Sequence, residues 1–279
     1  MYATLTEMKI LNGSELASYI KERQAKQVRA LRQAHQVYPR LAIVQTIDSP
    51  VIDSYVRLKK RYGEDILVDV DAYKVDQSEL REVVKRLNED DAVHGVIIQL
   101  PLADMSQTQS AVDAVASSKD VDGLGENAEL DPATPLAIVW LLAGYNVELS
   151  GKRIAIVGNG RLVGSPLSRM WKQSGYDVTI FDKSSKDMQS RLVDFDLIVT
   201  AVGIPGLINS MDVKQGAVVV DAGTAAEHGK IVGDVSPELR QRDDISITPE
   251  KGGVGPLTVS ALFDNVIRAA QATVKKEKN

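Results

Sequence analysis

Apolar positions along this chain fall into short continuous runs that alternate with longer, helically spaced stretches. Leu41–Ile47, Val93–Leu100, Ile154–Val157, Tyr176–Phe181, Leu197–Thr200 and Ala217–Asp221 read as strands buried on both faces. Ile66–Val75 and Ile245–Thr248 read as further extended segments, and Asp48–Pro50 as a polar turn. Helices are expected over Ser14–Ala34, with Asn12 or Ser14 as the cap, and over Asp53–Tyr62, Gln77–Asn88, Ser106–Ala116 and Leu162–Lys172. Thr134 can cap an apolar helix running to Gly144, with Pro135 in its first turn. An amphipathic helix over Leu257–Val274 closes the chain. Strand–helix alternation of this kind means an α/β fold with parallel sheets.

The segment Lys152–Pro166, KRIAIVGNGRLVGSP, carries the most chemistry. Its strand enters Gly158 and Gly160, and Gly164 lies at the start of the following helix. Glycines at such a corner let the backbone approach a pyrophosphate, whose charge meets the helix N-terminal N–H groups. The spacing G-x-G-x-x-x-G is one residue longer than the usual fingerprint, so its strand–turn–helix context carries the reading. The next strand ends at Asp182, 24 residues after Gly158, where a carboxylate would accept from the adenosine ribose hydroxyls. The alternative is an ordinary corner with no ligand.

Composition narrows the classes. The 279 residues suffice for two domains, and 44% hydrophobic with 25% charged residues is ordinary for a globular protein. A net charge of −5 argues against a nucleic-acid partner. Without cysteine there are no disulfides, thiol nucleophiles or cysteine metal sites, and no metal is expected. With no 18-residue apolar run and no apolar signal core, no membrane span is expected and a cytoplasmic location is. The tail Lys275–Asn279 reads as a frayed helix end.

Seven short motifs occur in one order. They are Tyr55-Val56-x-x-Lys59, Gln99-Leu100-Pro101-Leu102, Lys119-Asp120-Val121-Asp122-Gly123, Thr134-Pro135, Val163-Gly164-x-Pro166, Ala201-Val202-Gly203-x-Pro205-Gly206 and Gly252-Gly253-Val254-Gly255-Pro256-x-Thr258. Together they resemble the methylenetetrahydrofolate dehydrogenase/methenyltetrahydrofolate cyclohydrolase family over residues 9–270. The resemblance implies two α/β domains flanking a cleft, the second a Rossmann-type doubly wound parallel sheet. The first would be a folate-binding catalytic domain, 1–133, completed by the C-terminal helix 257–279. The Rossmann domain would span 134–256. A homodimer is implied, as are oxidation of 5,10-methylenetetrahydrofolate and hydrolysis of the product to 10-formyltetrahydrofolate, which feeds purine biosynthesis.

The resemblance also implies roles. Lys59 matches the catalytic lysine and Gln99 the residue that orients it. Tyr55 matches a ring that stacks on substrate, and Asp122 the carboxylate that grips the pterin edge. Leu100, Pro101, Gly252, Gly253 and Pro256 match substrate-lining positions. The cofactor side is implied at Gly158, Asn159, Gly160, Arg161, Val163 and Gly164. Asp182 belongs to it too, with Ala201, Val202, Gly203, Pro205 and Thr224. Each has a plainer alternative: Lys59 sits in a basic run, Arg57-x-Lys59-Lys60-Arg61, that could be a solvated face, and Asp120 or Asp122 could merely turn a loop. Gln99 is more telling, because a polar side chain after Val96-Ile97-Ile98 needs a partner. His35, His94 and His228 match no functional position and read as structural or surface residues.

Departures from the family pattern bear on specificity. Asn159-Gly160 stands where Arg-Ser is usual, and Asp182-Lys183 where a His-Ser type of pair is. An aspartate there would repel a 2′-phosphate and accept from a free 2′-hydroxyl, which favours NAD over NADP. Arg161 and Lys183 could still serve NADP. The loop Gly123–Asn127 looks shorter than usual, Lys251 stands where proline is common, and Ala133 replaces a common cysteine. The alternatives are a monofunctional NAD-dependent dehydrogenase, a shikimate-type dehydrogenase and a non-catalytic folate-binding paralogue.

Overall fold

The computed structural model describes residues 9–227 and 230–276; His228 and residues 277–279 of the tail lie outside them. Contacts divide the chain into two units. One is Ser18–Ala133 with Val259 onward; the other is the chain up to Ala17 with Thr134–Thr258.

The first unit is built on three parallel strands, β1 (Arg40–Gln45), β2 (Asp69–Lys74) and β3 (Gly95–Ile98), in the order β2-β1-β3. Helices α1 (Gly13–His35), α2 (Pro50–Ile66), α3 (Leu80–Glu89) and α4 (Thr108–Asp113) flank them in sequence. Ala42, Val44, Val96 and Ile98 pack with Val83, Val84 and Leu87 of α3. The alternate residues Leu41, Ile43 and Ile97 are buried as well, as a parallel sheet covered on both faces requires. Helix α2 starts earlier than expected, because Ser49 is its extended N-cap and Pro50 its first residue; proline's fixed φ suits that position. The helix expected over 106–116 instead begins as a single 3₁₀ turn, Met105–Gln107, with the Asp104 side chain accepting from Ser106 N–H. The C-terminal helix, Val254–Lys276, stacks Phe263 on Tyr62 at 4.9 Å between ring centroids.

The second unit contains α5 (Ala133–Gly144), β4 (Arg153–Val157), α6 (Gly164–Gln173), β5 (Asp177–Phe181), α7 (Met188–Leu192), β6 (Leu197–Thr200) and β7 (Val218–Asp221). A hairpin β8 (Ala225–Glu227) and β9 (Lys230–Val232), a short α8 (Pro237–Arg240), β10 (Ser246–Ile247) and the start of the C-terminal helix α9 follow. Five strands form a parallel sheet ordered β10-β7-β6-β4-β5. The order reverses at β4, so the crevice beyond the C-terminal ends of β4 and β6 is the switch point where ligands bind in such sheets. Helix α6 starts at Gly164, two residues later than expected, and α5 starts one residue before Thr134, which therefore lies inside the first turn. Residues 9–17 depart from the expected 1–133 domain. Leu11 is fully buried and its N–H donates to Ile247 O (2.9 Å), while Ser14 N–H donates to Gly252 O (2.9 Å). Pairing with β10 and the 252 loop places this segment in the second unit. Among the described residues no helix is long and apolar enough to cross a membrane, and no group of three His, Asp or Glu side chains could hold a metal ion.

Candidate active site

The first unit gathers three of the motif side chains at one place. Helix α2 carries Tyr55 and Lys59 one turn apart and so on one face. Gln99 directly follows β3, and its N–H donates to Val44 O (2.8 Å), which extends the ladder one residue beyond the strand. Lys59 Nζ donates to Gln99 Oε1 at 2.8 Å, and Gln99 Nε2 donates to Leu100 O at 3.1 Å. The Leu100–Pro101 peptide that follows is cis. Tyr55 is 37% exposed and offers its ring to solvent.

Asp122 completes the group. Burial pulls the Lys59 ammonium below the ordinary lysine range, with the Asp122 charge opposing. Asp122 is pushed up to about 6, chiefly by burial; Lys59 opposes the rise and the Asp120 carboxylate adds to it. The two aspartates of the motif have different tasks. Asp120, 4% exposed, accepts from Gly123 N–H (2.9 Å) and Gly125 N–H (2.7 Å) and so shapes the loop that presents Asp122. Burial nevertheless raises the Asp120 pKa. Gly123 sits at φ +67°, and a Cβ there would lie 2.7 Å from Leu130 O, so the turn needs glycine. Asn265, on α9, donates to Val121 O and Asp131 O at 2.9 Å each and clamps the same loop; nothing local in the sequence marks it.

In the second unit the predicted cofactor residues meet at the switch point. Gly158 has φ +103°, and a Cβ on it would lie 2.6 Å from Ala201 O; a Cβ on Gly164 would lie 1.7 Å from Gly158 O. Only glycine allows the strand, turn and helix to approach this closely. Nothing lies within 4 Å of the Cβ position of Gly160, so that edge is open. Asn159 and Arg161 are exposed beside it, and Val163 is the N-cap of α6. This corner fits the pyrophosphate of a dinucleotide. Thr224 O lies 3.0 Å from the Cβ position of Gly203, which sets these two predicted residues side by side, and Pro205 is exposed on the same loop.

Asp182 directly follows β5, the neighbour of β4. Its Oδ1 accepts from Ser184 N–H (2.9 Å) and Ser184 Oγ–H (2.6 Å), and these contacts hold its pKa below the usual carboxylate range. Oδ2 is unengaged among the described residues. Gly252 and Gly253 pack on the N-terminal segment: a Cβ on Gly252 would lie 2.6 Å from Ser14 Oγ, and one on Gly13 would lie 1.9 Å from Gly253 O. Pro256 lies in the first turn of α9. His94 is a buried structural residue whose Nδ1 accepts from Arg40 N–H (3.3 Å), and burial lowers its pKa.

A buried carboxylate network behind the Ala201–Gly206 loop went unmarked in the sequence. Asp234 Oδ2 accepts from Thr200 Oγ–H (2.7 Å) and Val202 N–H (2.8 Å), and its Oδ1 from Gly203 N–H (2.7 Å) and Ile204 N–H (2.8 Å). Asp221, at the end of β7, accepts from Asp234 N–H (3.0 Å), Val235 N–H (3.1 Å) and Arg240 Nη2 (2.5 Å). The adjacent glycines, in Asp221-x-Gly223 and Gly233-Asp234, are the available local signal. A Cβ on Gly223 would lie 2.2 Å from the Asp234 carboxyl carbon and one on Gly233 2.0 Å from Asp221 Oδ2.

Comparison with known proteins bears on the family. Residues 11–122 match the family described as "Tetrahydrofolate dehydrogenase/cyclohydrolase, catalytic domain", and residues 132–274 match "Tetrahydrofolate dehydrogenase/cyclohydrolase, NAD(P)-binding domain". The chain belongs to the tetrahydrofolate dehydrogenase/cyclohydrolase family. The bifunctional protein FolD of Staphylococcus saprophyticus is 36% identical over 275 residues, 94% of this chain and 96% of that one. The crystal structure of the bifunctional FolD of Campylobacter jejuni has a TM-score of 0.90 at 33% identity, covering 95% of this chain and 99% of that one. The Trypanosoma brucei FolD, solved with NADP and an inhibitor, has a TM-score of 0.89 at 28% identity, covering 96% and 99%. The family's domain descriptions match a nicotinamide dinucleotide on the second unit.

Proposed function

We propose that this chain oxidises 5,10-methylenetetrahydrofolate to 5,10-methenyltetrahydrofolate with a nicotinamide cofactor, and hydrolyses the product to 10-formyltetrahydrofolate. The observation that carries the reading is the Lys59–Gln99 hydrogen bond beside the Asp122 carboxylate. An ionised Asp122 presents two acceptors to the N–H edge of a pterin, a paired and charge-assisted contact. Tyr55 supplies a ring to stack on the bound heterocycle. In the hydrolysis, water adds its oxygen to the methenyl carbon and releases one proton to solvent; its second proton then passes from the new hydroxyl to N5 as the bond from that carbon to N5 breaks and the C=O forms. Lys59, with its pKa lowered by burial, takes and returns that proton more readily than a surface lysine does. Gln99 fixes where the lysine nitrogen handles it. For the oxidation the bound nicotinamide supplies the hydride acceptor, and the protein's contribution is placement.

We further propose NAD as the preferred cofactor. Asp182 supports this: an ionised carboxylate with a free oxygen at the end of β5 accepts from a ribose 2′-hydroxyl and repels a 2′-phosphate. The family resemblance supports a cytoplasmic homodimer. Absorbance after mixing the purified protein with 5,10-methylenetetrahydrofolate and either cofactor tests the oxidation, and decay of added methenyltetrahydrofolate tests the hydrolysis separately. Turnover with NAD and hydrolysis are expected. Hydrolysis at the uncatalysed rate would leave a monofunctional dehydrogenase, and faster turnover with NADP would overturn the Asp182 reading. Sedimentation at twice the chain mass is expected for the dimer.

A further inference from the structure

Lys59 owes its place to α2, and α2 is tied to the sheet at a second point that none of the motifs marks. The register of β1 and β3 pairs Ile43 with Ile97 and Val44 with Ile98. One step further stand Gln45, the last residue of β1, and Gln99, whose N–H continues the ladder to Val44 O. Side chains alternate along a strand, so the two glutamines follow Ile43 and Ile97 on one face. Both reach α2, and they use opposite ends of their amides. Gln99 accepts from Lys59 through Oε1 (2.8 Å), whereas Gln45 donates through Nε2 to Asp53 Oδ1 (3.1 Å). Asp53 and Lys59 lie about 9 Å apart along the helix axis.

The Gln45 contact leaves a polar atom stranded. Gln45 is 1% exposed, and its Oε1 is buried without a partner among the described residues. An ionised carboxylate only accepts, so the amide turns its nitrogen to Asp53 and its oxygen away. A leucine would fill the same space with no orphaned acceptor. What the glutamine adds is a tie on a helix start that has no side-chain cap, because the N-cap Ser49 makes no such bond. Asp53 lies in that first turn, and Lys74 Nζ, at the end of β2, donates to its Oδ2 (3.1 Å). The Gln45 bond, followed by the Lys74 bond, holds the Asp53 carboxyl below the usual carboxylate range.

We infer that Gln45 is a positioning residue for the hydrolytic step: through Asp53 it pins the first turn of α2 to the end of β1, so that Lys59 meets Gln99 in one fixed place. This rests on the Lys59–Gln99 reading above. Gln45 acts through the lysine and needs no contact with substrate.

Gln45→Leu removes the donor and the stranded oxygen while filling the space, and Asp53→Ala removes the acceptor from the surface side. In the full chain, kcat for hydrolysis of methenyltetrahydrofolate is expected to fall about tenfold or more in each variant, because small displacements of a reacting group are costly. The double variant should lose no more than the worse single one, as for two ends of one contact. The dehydrogenase kcat should stay within twofold, and the melt of Gln45→Leu should lie at or above that of the unaltered protein. In ¹³C-lysine-labelled protein, the Lys59 titration, identified by its absence from Lys59→Met, should move up toward the ordinary lysine value in both variants. Unchanged hydrolysis, losses that multiply in the double variant, or both activities falling together with the melt overturn the inference. Should Gln45→Leu fail to fold, the half-buried Asp53 still gives the test through Asp53→Ala. If the unaltered protein does not hydrolyse methenyltetrahydrofolate, the catalytic reading of Lys59 fails. The Lys59 titration then decides the inference alone: moved, it stands, and unmoved, it falls.

Discussion

Asp122 and Asp182 are both single carboxylates at loop positions, yet their surroundings set them on opposite courses. Burial raises Asp122 to about 6, so it takes up its proton at a higher pH than an ordinary carboxylate and is ionised only above that value. A raised carboxyl pKa contributes stability below the unfolded value of 3.8, and this is lost as pH rises through about 6. On the proposed pterin contact, folate binding has the reverse dependence, because the pterin edge would offer donors and need the ionised form. The KM for methylenetetrahydrofolate is expected to rise about tenfold per pH unit below 6, as for a single obligatory deprotonation, and Asp122→Asn should flatten that limb. A KM that is level from pH 5 to 7 would remove Asp122 from the pterin site. Asp182 lies in the open, with a lowered pKa, and stays ionised throughout. Asp182→Ser should raise the NADP/NAD ratio of kcat/KM by roughly fivefold, the scale of one exposed charge contact, and more at low salt. An unchanged ratio would place Asp182 away from the ribose.

At the level of elements, the turn between β4 and α6 depends on contacts that only glycine permits. A Cβ at Gly164 would overlap Gly158 O at 1.7 Å, and both partners are backbone, so the first turn of α6 must shift. Gly164→Ala is expected to cost ~1–3 kcal/mol of stability, as overpacking does, and to weaken cofactor binding at least tenfold. Gly160→Ala, with open space around it, should leave the free protein's stability within ~0.5 kcal/mol. Thermal melts with and without NAD separate the two. This corner was legible in the sequence because strand, turn and helix are contiguous there; the apolar run Leu197–Thr200 coincides with β6, while the other runs differ from their strands by one or more residues at an end. Less was legible where order comes from distant partners. Thr200 and Asp234 are 34 residues apart, and Asn265 reaches Val121 across 144. Such bonds leave no periodicity, and the three-residue strands β8 and β9 are too short to show one. The motif order located Lys59 and Gln99, but only the fold shows that Asp120 shapes the loop and leaves Asp122 for other work.

For the whole molecule, the proposed distribution of chemistry over two units predicts that the two activities are separable. Lys59, Gln99 and Asp122 all belong to the first unit, so on the proposed roles hydrolysis of methenyltetrahydrofolate is expected to draw on no titratable group of the second. On the same proposal, oxidation needs these folate-binding residues and, in addition, a dinucleotide at the Gly158 corner. Lys59→Met should therefore lower hydrolysis by about 10²–10⁴, the range of general acid–base catalysis, and spare most of the dehydrogenase rate, since placement does that work. Gly164→Ala should do the reverse, with hydrolysis close to the unaltered rate at a temperature where the variant is folded. Stopped-flow decay of methenyltetrahydrofolate and cofactor reduction, measured on both variants, give a two-by-two comparison. If Lys59→Met loses both activities in step while its melt is unchanged, the lysine acts in binding and the proton-transfer role is wrong. If Gly164→Ala loses hydrolysis as well as oxidation, the second unit takes part in the hydrolytic step, and the Lys59–Gln99–Asp122 group is not sufficient for it.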